Sequence, residues 1–105
     1  MVIVTLPSEI KVGGILYQVK KCDLSAYDGD GNYRMGNQHE TKALIEIRDE
    51  MPKQKQDQTL IHEMTHAMFS EMGIVIENDE DLVNRIGLIL HQVLKDNDFS
   101  WLRES

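Results

Sequence analysis

The five residues His62-Glu63-Met64-Thr65-His66 combine the residue types of a catalytic metal site. In a helix, side chains at positions i and i+4 lie on one face, so His62 and His66 can bind the same metal ion. Zinc accepts nitrogen and oxygen ligands and can keep one of its four positions open for water. The pKa of that water falls to about 7, and Glu63 stands beside the same face to accept its proton. The pattern therefore predicts a hydrolytic Zn²⁺ site with Glu63 as general base.

A catalytic zinc site needs a third protein ligand, and helical phase indicates which residue supplies it. Four acids follow the motif: Glu77, Asp79, Glu80 and Asp81. The expected second helix must turn its apolar stripe toward the first, and the stripe consists of Leu82/Val83, Ile86, Leu90 and Val93/Leu94. Glu80 precedes Val83 by three positions and has a long reach, which favours it as the ligand. Asp79 and Glu77 remain alternatives. Asn84, one turn after Glu80, is expected to accept a hydrogen bond from a ligand histidine.

These features resemble a gluzincin metallopeptidase, and more narrowly the small ImmA/IrrE-like metallopeptidase-type proteins of bacteriophages and mobile elements. The resemblance covers about two thirds of the chain and is carried by residues 42–47, 58–68 and 79–87. It implies that His62, His66 and Glu80 bind Zn²⁺, that Glu63 is the general base, and that Asn84 supports a ligand histidine. It also implies that residues 42–47 form an edge strand that pairs with extended substrate. An ordinary internal strand fits the same residues equally well.

Full peptidases of this clan usually bind the oxyanion with a tyrosine or histidine from a further domain, and we expect no such domain in this chain. His39 and Tyr33 are the residues we consider for binding the oxyanion or the substrate, with Tyr27 as a further candidate. His91 is expected to be a partly buried structural histidine.

Two functions of different class follow from these residues. The first is a zinc metalloendopeptidase, in which zinc-bound water and Glu63 hydrolyse a peptide bond of a specific regulatory or viral protein. The alternative is a zinc-stabilised, non-catalytic binding or regulatory module of a phage or mobile element. A structural zinc site fills all four positions with protein ligands, whereas only three good ligands are apparent. This difference favours the first function.

The composition of the chain limits the classes of partner and the cellular compartment that we expect. The 105 residues include 18 acidic and 11 basic side chains, a net charge of −7, which disfavours nucleic acid and anionic membranes as partners. A protein or peptide substrate remains. The sequence contains neither a signal-peptide pattern nor a long apolar span. The single cysteine, Cys22, rules out an internal disulfide. We therefore expect a cytoplasmic protein, located in the host cytoplasm if a phage encodes it.

The order of apolar patterns predicts an α+β fold, a minimal zincin core formed by one metallopeptidase domain over residues 1–105. Residues 9–12 and 15–19 should form a hairpin around Gly13-Gly14, and residues 33–37 and 42–47 two further strands across a turn at 38–40. A helix is expected from Pro52 to a C-terminal cap at Gly73, and a second from an N-cap at Asn78 to about Lys95. The small N-terminal sheet, mainly antiparallel with three to five strands, should thus precede two packed helices.

Overall fold

The computed structural model describes residues 5–29, 33–77 and 79–103. Its main elements are four strands followed by two long helices: β1 (Glu9–Val12), β2 (Ile15–Cys22), β3 (Gly36–His39), β4 (Leu44–Arg48), α1 (Lys53–Met72) and α2 (Glu80–Asp96). A 3₁₀ turn (Ser25–Tyr27) follows β2, and a short helix, α3 (Ser100–Arg103), follows α2. The expected α+β fold, with a small sheet before two packed helices, is confirmed.

The strands form one mixed sheet in the order β1-β2-β4-β3. The predicted hairpin of β1 and β2 is present, and Gly13 and Gly14 form its turn with φ values of 58° and 87°, which favour glycine. β2 pairs with β4 in parallel, and β3 pairs with β4 antiparallel. Because β4 has a partner on each side, the expectation that residues 42–47 form the substrate-binding edge strand is wrong. The edges of the described sheet are β1 and β3.

The third strand begins later than the sequence pattern predicts. β3 starts at Gly36 rather than near Tyr33, and it includes two of the three residues expected to form the turn, Gln38 and His39. Tyr33 and Arg34 instead surround the buried Arg48 side chain: the Tyr33 ring lies 4.0 Å from the guanidinium carbon, and Arg48 Nε donates to the Arg34 carbonyl at 2.8 Å. The chain then turns before β4, where Ala43 adopts a φ of 47°.

Helix α1 lies between the sheet and α2, and the core fills the space between α1 and the sheet. Strand residues that alternate toward α1 pack against apolar side chains of that helix, and the buried set is Val12, Tyr17, Val19, Ile45, Ile47, Met51, Leu60 and Ala67. Burying one large aliphatic side chain of this kind contributes about 1.5–3 kcal/mol. α2 packs on α1 through the buried Val83 and Gly87. Helix α1, which carries His62 and His66, is thus packed on one side by the sheet and on the other by α2.

The helix ends are set by local residues. α1 begins directly after Pro52 and ends at Gly73, whose φ of 71° forms the left-handed cap that the sequence predicts. α2 begins at Glu80, directly after Asp79. The N-cap expected at Asn78 lies outside the described residues. In the part of the chain that the structure describes, no helix is both long enough and apolar enough to span a membrane.

Candidate metal centre

The side chains of His62, His66 and Glu80 converge at the contact between α1 and α2. Glu80 Oε1 lies 2.7 Å from His62 Nε2, and Glu80 Oε2 lies 3.1 Å from His66 Nε2. One ligand atom from each residue lies within 4.8 Å of the others. Ligands of a tetrahedral zinc with bonds of about 2.0–2.1 Å are about 3.3 Å apart. The three groups therefore need only small shifts to surround one ion.

Helix periodicity brings these groups together at the contact between α1 and α2. His62 and His66 are one turn apart on α1, with ring centroids 5.0 Å from each other. Gly87 faces His62 on α2, where an added Cβ would be only 3.6 Å from the His62 Cα atom. Glu80 is two turns before Gly87 and so lies on the face of α2 that meets α1. Gly87 thus lies at the contact between the two helices, beside His62.

Glu63 is buried beside this group, with 8 % of its surface exposed. Its Oε2 atom lies 3.9 Å from His62 Nε2. The pKa of Glu63 is raised to about 7, mainly by burial and also by the negative charge of Glu80, while the positive charge of Arg34 acts in the opposite direction. The carboxyl group thus lies within reach of a water between the histidines without being one of the three convergent groups.

The outer side of His66 faces Asp79, not Asn84. Asp79 Oδ2 lies 3.9 Å from His66 Nδ1, the ring nitrogen that points away from Glu80. Asn84 is exposed and lines the same cleft, but it makes no hydrogen bond to either histidine among the described residues. A metal-binding histidine commonly gives its second ring nitrogen to an oxygen. Asp79 lies near this nitrogen of His66 but, at 3.9 Å, makes no hydrogen bond to it.

The three convergent groups line a cleft of about 670 Å³ between α1, α2 and the segment that leads into β3. Tyr27, Tyr33 and Arg34 form the wall on the side of that segment. His91 lines the opposite, α2 side, where the sequence predicted only a structural histidine. Two of the three residues considered for oxyanion or substrate binding, Tyr33 and Tyr27, therefore lie in the cleft.

His39 is not brought to this cleft. Its Nε2 atom lies 2.6 Å from Glu46 Oε1. Ile45 and Ile47 of β4 face α1, so Glu46, which alternates with them, points to the other face of the sheet. In the described part of the chain, His39 belongs to a polar cluster with Glu46 and Cys22, whose Sγ donates to Glu46 at 3.4 Å. Burial and the Glu46 carboxylate raise the pKa of the Cys22 thiol to about 11, which makes it a poor nucleophile.

The sequence patterns did not identify two residues that shape the cleft. The Arg48 side chain is 2 % exposed and binds Asp28 at 2.6 Å and the carbonyl of Leu24, which fixes the segment that carries Tyr33. Gly36 allows β3 to approach α1: a Cβ there would lie 2.7 Å from Thr59 Cγ2 and 3.0 Å from Glu63 Cγ. The residues 33–37 resembled an ordinary strand, so nothing in their pattern marked Gly36 as a close approach.

The donor set fits zinc. Two imidazole nitrogens and one carboxylate oxygen match the ligand chemistry of a three-ligand site, and the ligand atoms face the cleft rather than the core. Comparison of the chain with known protein families, with curated proteins and with solved structures finds no match.

Proposed function

We propose that the chain is a zinc metalloendopeptidase of the small gluzincin type, similar to the ImmA/IrrE-like proteins of phages and mobile elements. The supporting observation is the convergence of His62, His66 and Glu80, with ligand atoms within 4.8 Å of one another. The buried Glu63 lies beside this group and lines the same cleft. A carboxylate next to two histidines and a third ligand is the residue set that metal-assisted peptide hydrolysis requires.

In this proposal each side chain has a separate role. Zinc bound by His62, His66 and Glu80 would supply Lewis acidity and lower the pKa of a water molecule. Glu63 would accept the proton of the attacking water and return it to the leaving amine. Tyr33 lines the cleft and is 58 % exposed, so its hydroxyl is available to donate to the oxyanion. Asp79 would hold the His66 ring from its outer side.

The extended substrate would pair with β3. This strand is an edge of the described sheet, and its first residue, Gly36, lies against the helix face that carries Glu63. A peptide strand added to β3 would gain backbone hydrogen bonds and would pass over the cleft. The proposed substrate is a specific regulatory or viral protein in the cytoplasm, with no role for nucleic acid or membrane.

Cleavage of a peptide library tests the proposal. The zinc-loaded protein is incubated with a proteome-derived peptide mixture, and new termini are identified by mass spectrometry. We expect a defined set of cleavages that disappears in Glu63→Gln and His66→Ala. Lys20→Gln serves as a control, because Lys20 is an exposed residue of β2 outside the cleft and its replacement leaves the ligands intact. Cleavage that persists unchanged in Glu63→Gln would contradict the assignment.

The second candidate function is a zinc-stabilised binding module. The observation in its favour is an apolar surface on α2 that no described element covers, with Leu88 and Ile89 67 % and 64 % exposed. Exposed apolar side chains of this size are common at contacts with partner proteins. In this case the metal would join α1 to α2, and Glu63→Gln would leave the biological effect intact while His66→Ala would remove it.

A further inference from the structure

We propose that Arg34 and Lys55 form an anion-binding subsite beside the metal centre, and that the substrate is a peptide with a carboxylate near the scissile bond. The inference rests on the proposed function and names the substrate class of that same cleft. Both residues line the cleft that contains His62, Glu63 and Glu80.

The cleft has as many basic as acidic residues, although the chain as a whole is acidic. The protein has 18 acidic and 11 basic residues. Among the residues described as lining the cleft, the only acids are Glu63 and Glu80, and both belong to the proposed metal chemistry. The only lysine or arginine residues are Arg34 and Lys55, and neither is a proposed ligand or general base. Outside the proposed metal site, the charged residues of the cleft are therefore all basic, although the protein has a net charge of −7.

The guanidinium group of Arg34 contacts uncharged side chains. Its guanidinium donates to the amide oxygen of Asn37 and lies 5.5 Å from the centre of the Tyr27 ring. No ion pair joins it to a carboxylate within residues 5–29, 33–77 and 79–103. Asn37 is buried and belongs to β3, so this contact fixes the guanidinium on a rigid element. A fixed guanidinium whose charge remains unneutralised is well suited to bind a carboxylate.

Lys55 lies on the same stripe of α1 as the metal ligands. It is four residues before Thr59 and seven before His62, so these positions follow one another along a single helix face. The neighbouring Lys53 is neutralised by Asp57 at 2.5 Å, whereas Lys55 has no acidic partner in the described residues. Lys55 is also near the beginning of α1, where the helix dipole adds positive potential. The ammonium group of Lys55 is thus available to bind a ligand.

Every substrate that suits this subsite carries a carboxylate group. It can belong to an aspartate or glutamate side chain or to a free C-terminus. The long-range repulsion by the negative protein is screened over about 8 Å at 0.15 M salt, so the local cations decide the preference at that ionic strength. The tyrosines of the same wall would contact the apolar parts of the peptide.

Peptide binding in the Glu63→Gln background tests this inference without requiring turnover. The probes are fluorescein-labelled, C-terminally amidated hexapeptides that differ only in one residue, glutamate or glutamine, placed at each position in turn. The neutral peptide with a free C-terminus tests the second source of the carboxylate. Affinities are measured by fluorescence anisotropy at 0.15 M salt, with and without added zinc.

We expect at least one glutamate peptide, or the free-acid peptide, to bind about 3- to 10-fold more tightly than its neutral counterpart, the range of one or two exposed ion pairs. Arg34→Gln and Lys55→Gln should each lower this ratio about 2- to 3-fold, and Arg34→Lys should retain most of it. Lys20→Gln is the control, since it changes the net charge equally on an exposed strand residue outside the cleft.

Equal affinity for charged and neutral peptides, or no binding of either at millimolar concentration, would overturn the subsite. An equal loss of the ratio in Lys20→Gln would also overturn it, because net charge alone would then explain the preference. The outcome is separate from that of the proposed function. A charge preference in a protein that cleaves no peptide would leave the subsite standing and remove the peptidase, whereas cleavage without a charge preference would do the reverse.

Discussion

Glu80 Oε1 lies 2.7 Å from His62 Nε2, and this contact joins the beginning of α2 to the middle of α1. The same carboxylate reaches His66 with its other oxygen at 3.1 Å. Glu80 nevertheless keeps 63 % of its side chain exposed. An exposed carboxylate that contacts two half-buried imidazoles is accessible to an ion from solvent, and the first prediction follows from this arrangement.

Replacing Glu80 with glutamine should weaken zinc binding by more than about 100-fold, since the loss of a ligand should exceed the 10- to 100-fold cost of losing a supporting residue. Asp81→Asn is the matched control, because Asp81 lies next in sequence but pairs with Arg85 at 3.3 Å on the exposed side of α2. Its zinc affinity should not change. Competition with a chromogenic chelator measures both variants. Asp79→Asn should fall between them, with a loss of about 10-fold, because Asp79 supports His66 from outside.

The Glu63→Gln variant should separate metal binding from hydrolysis. Glutamine has nearly the same shape as glutamate and fits the same buried site, but its amide cannot accept the proton of the attacking water. We expect one zinc per chain by elemental analysis, a nearly unchanged fold by circular dichroism, and no peptide cleavage. Loss of zinc from this variant would mean that Glu63 is itself a ligand.

Much of the site follows from helix periodicity, which can be read from the sequence alone. The spacing of His62 and His66 and the apolar phase of α2 predicted that Glu80 would meet the two histidines, and the structure places it there. The hairpin of β1 and β2 and the glycine cap of α1 were predicted from local turn chemistry, and both are present. The hairpin and the cap depend on contacts between neighbours in the chain, and the Glu80 contact depends on the packing of two consecutive helices along their apolar faces.

The features that were missed depend on contacts between distant residues. The parallel pairing of β2 with β4 makes β4 internal, and no local pattern specifies a strand partner across an intervening strand. The position of Asp79 beside His66 depends on how α2 begins, within a cluster of acids whose order alone does not distinguish them. Arg48 and Arg34 form their contacts with residues from other elements, so their charge alone did not indicate a role.

The close approach of β3 to α1 predicts different effects for alanine at two glycines. Gly36→Ala should destabilise the fold by about 1–3 kcal/mol, because its Cβ would lie 2.7 Å from Thr59 Cγ2 and 3.1 Å from the Glu46 carbonyl oxygen. Gly87→Ala should be neutral or stabilising by up to about 1 kcal/mol, because its Cβ would make only ordinary contact with α1 and alanine favours a helix. Urea denaturation measures both. Equal stability of the two variants would contradict the described packing.

Tyr17 should make the stability of the fold fall at high pH. Burial raises its pKa from 10.0 to about 12, and the hydroxyl donates to Glu71 Oε2 at 2.7 Å. The folded state holds the proton more tightly than the unfolded state, so this contribution is complete below pH 10 and is lost as pH rises to about 12. The slope is at most about 1.4 kcal/mol per pH unit for one proton. Tyr17→Phe should remove that part of the slope, as measured by urea denaturation from pH 9 to 12.

The most direct test of the account is the anomalous diffraction of zinc-loaded crystals, measured on both sides of the zinc absorption edge. We predict one strong site per chain, bonded to His62 Nε2 and His66 Nε2 and to a Glu80 oxygen at about 2.0–2.2 Å, with the fourth position held by solvent near Glu63. A zinc ion bound by Glu77 or Asp79 in place of Glu80 would correct the ligand set. The absence of any zinc at the two histidines would contradict the central claim.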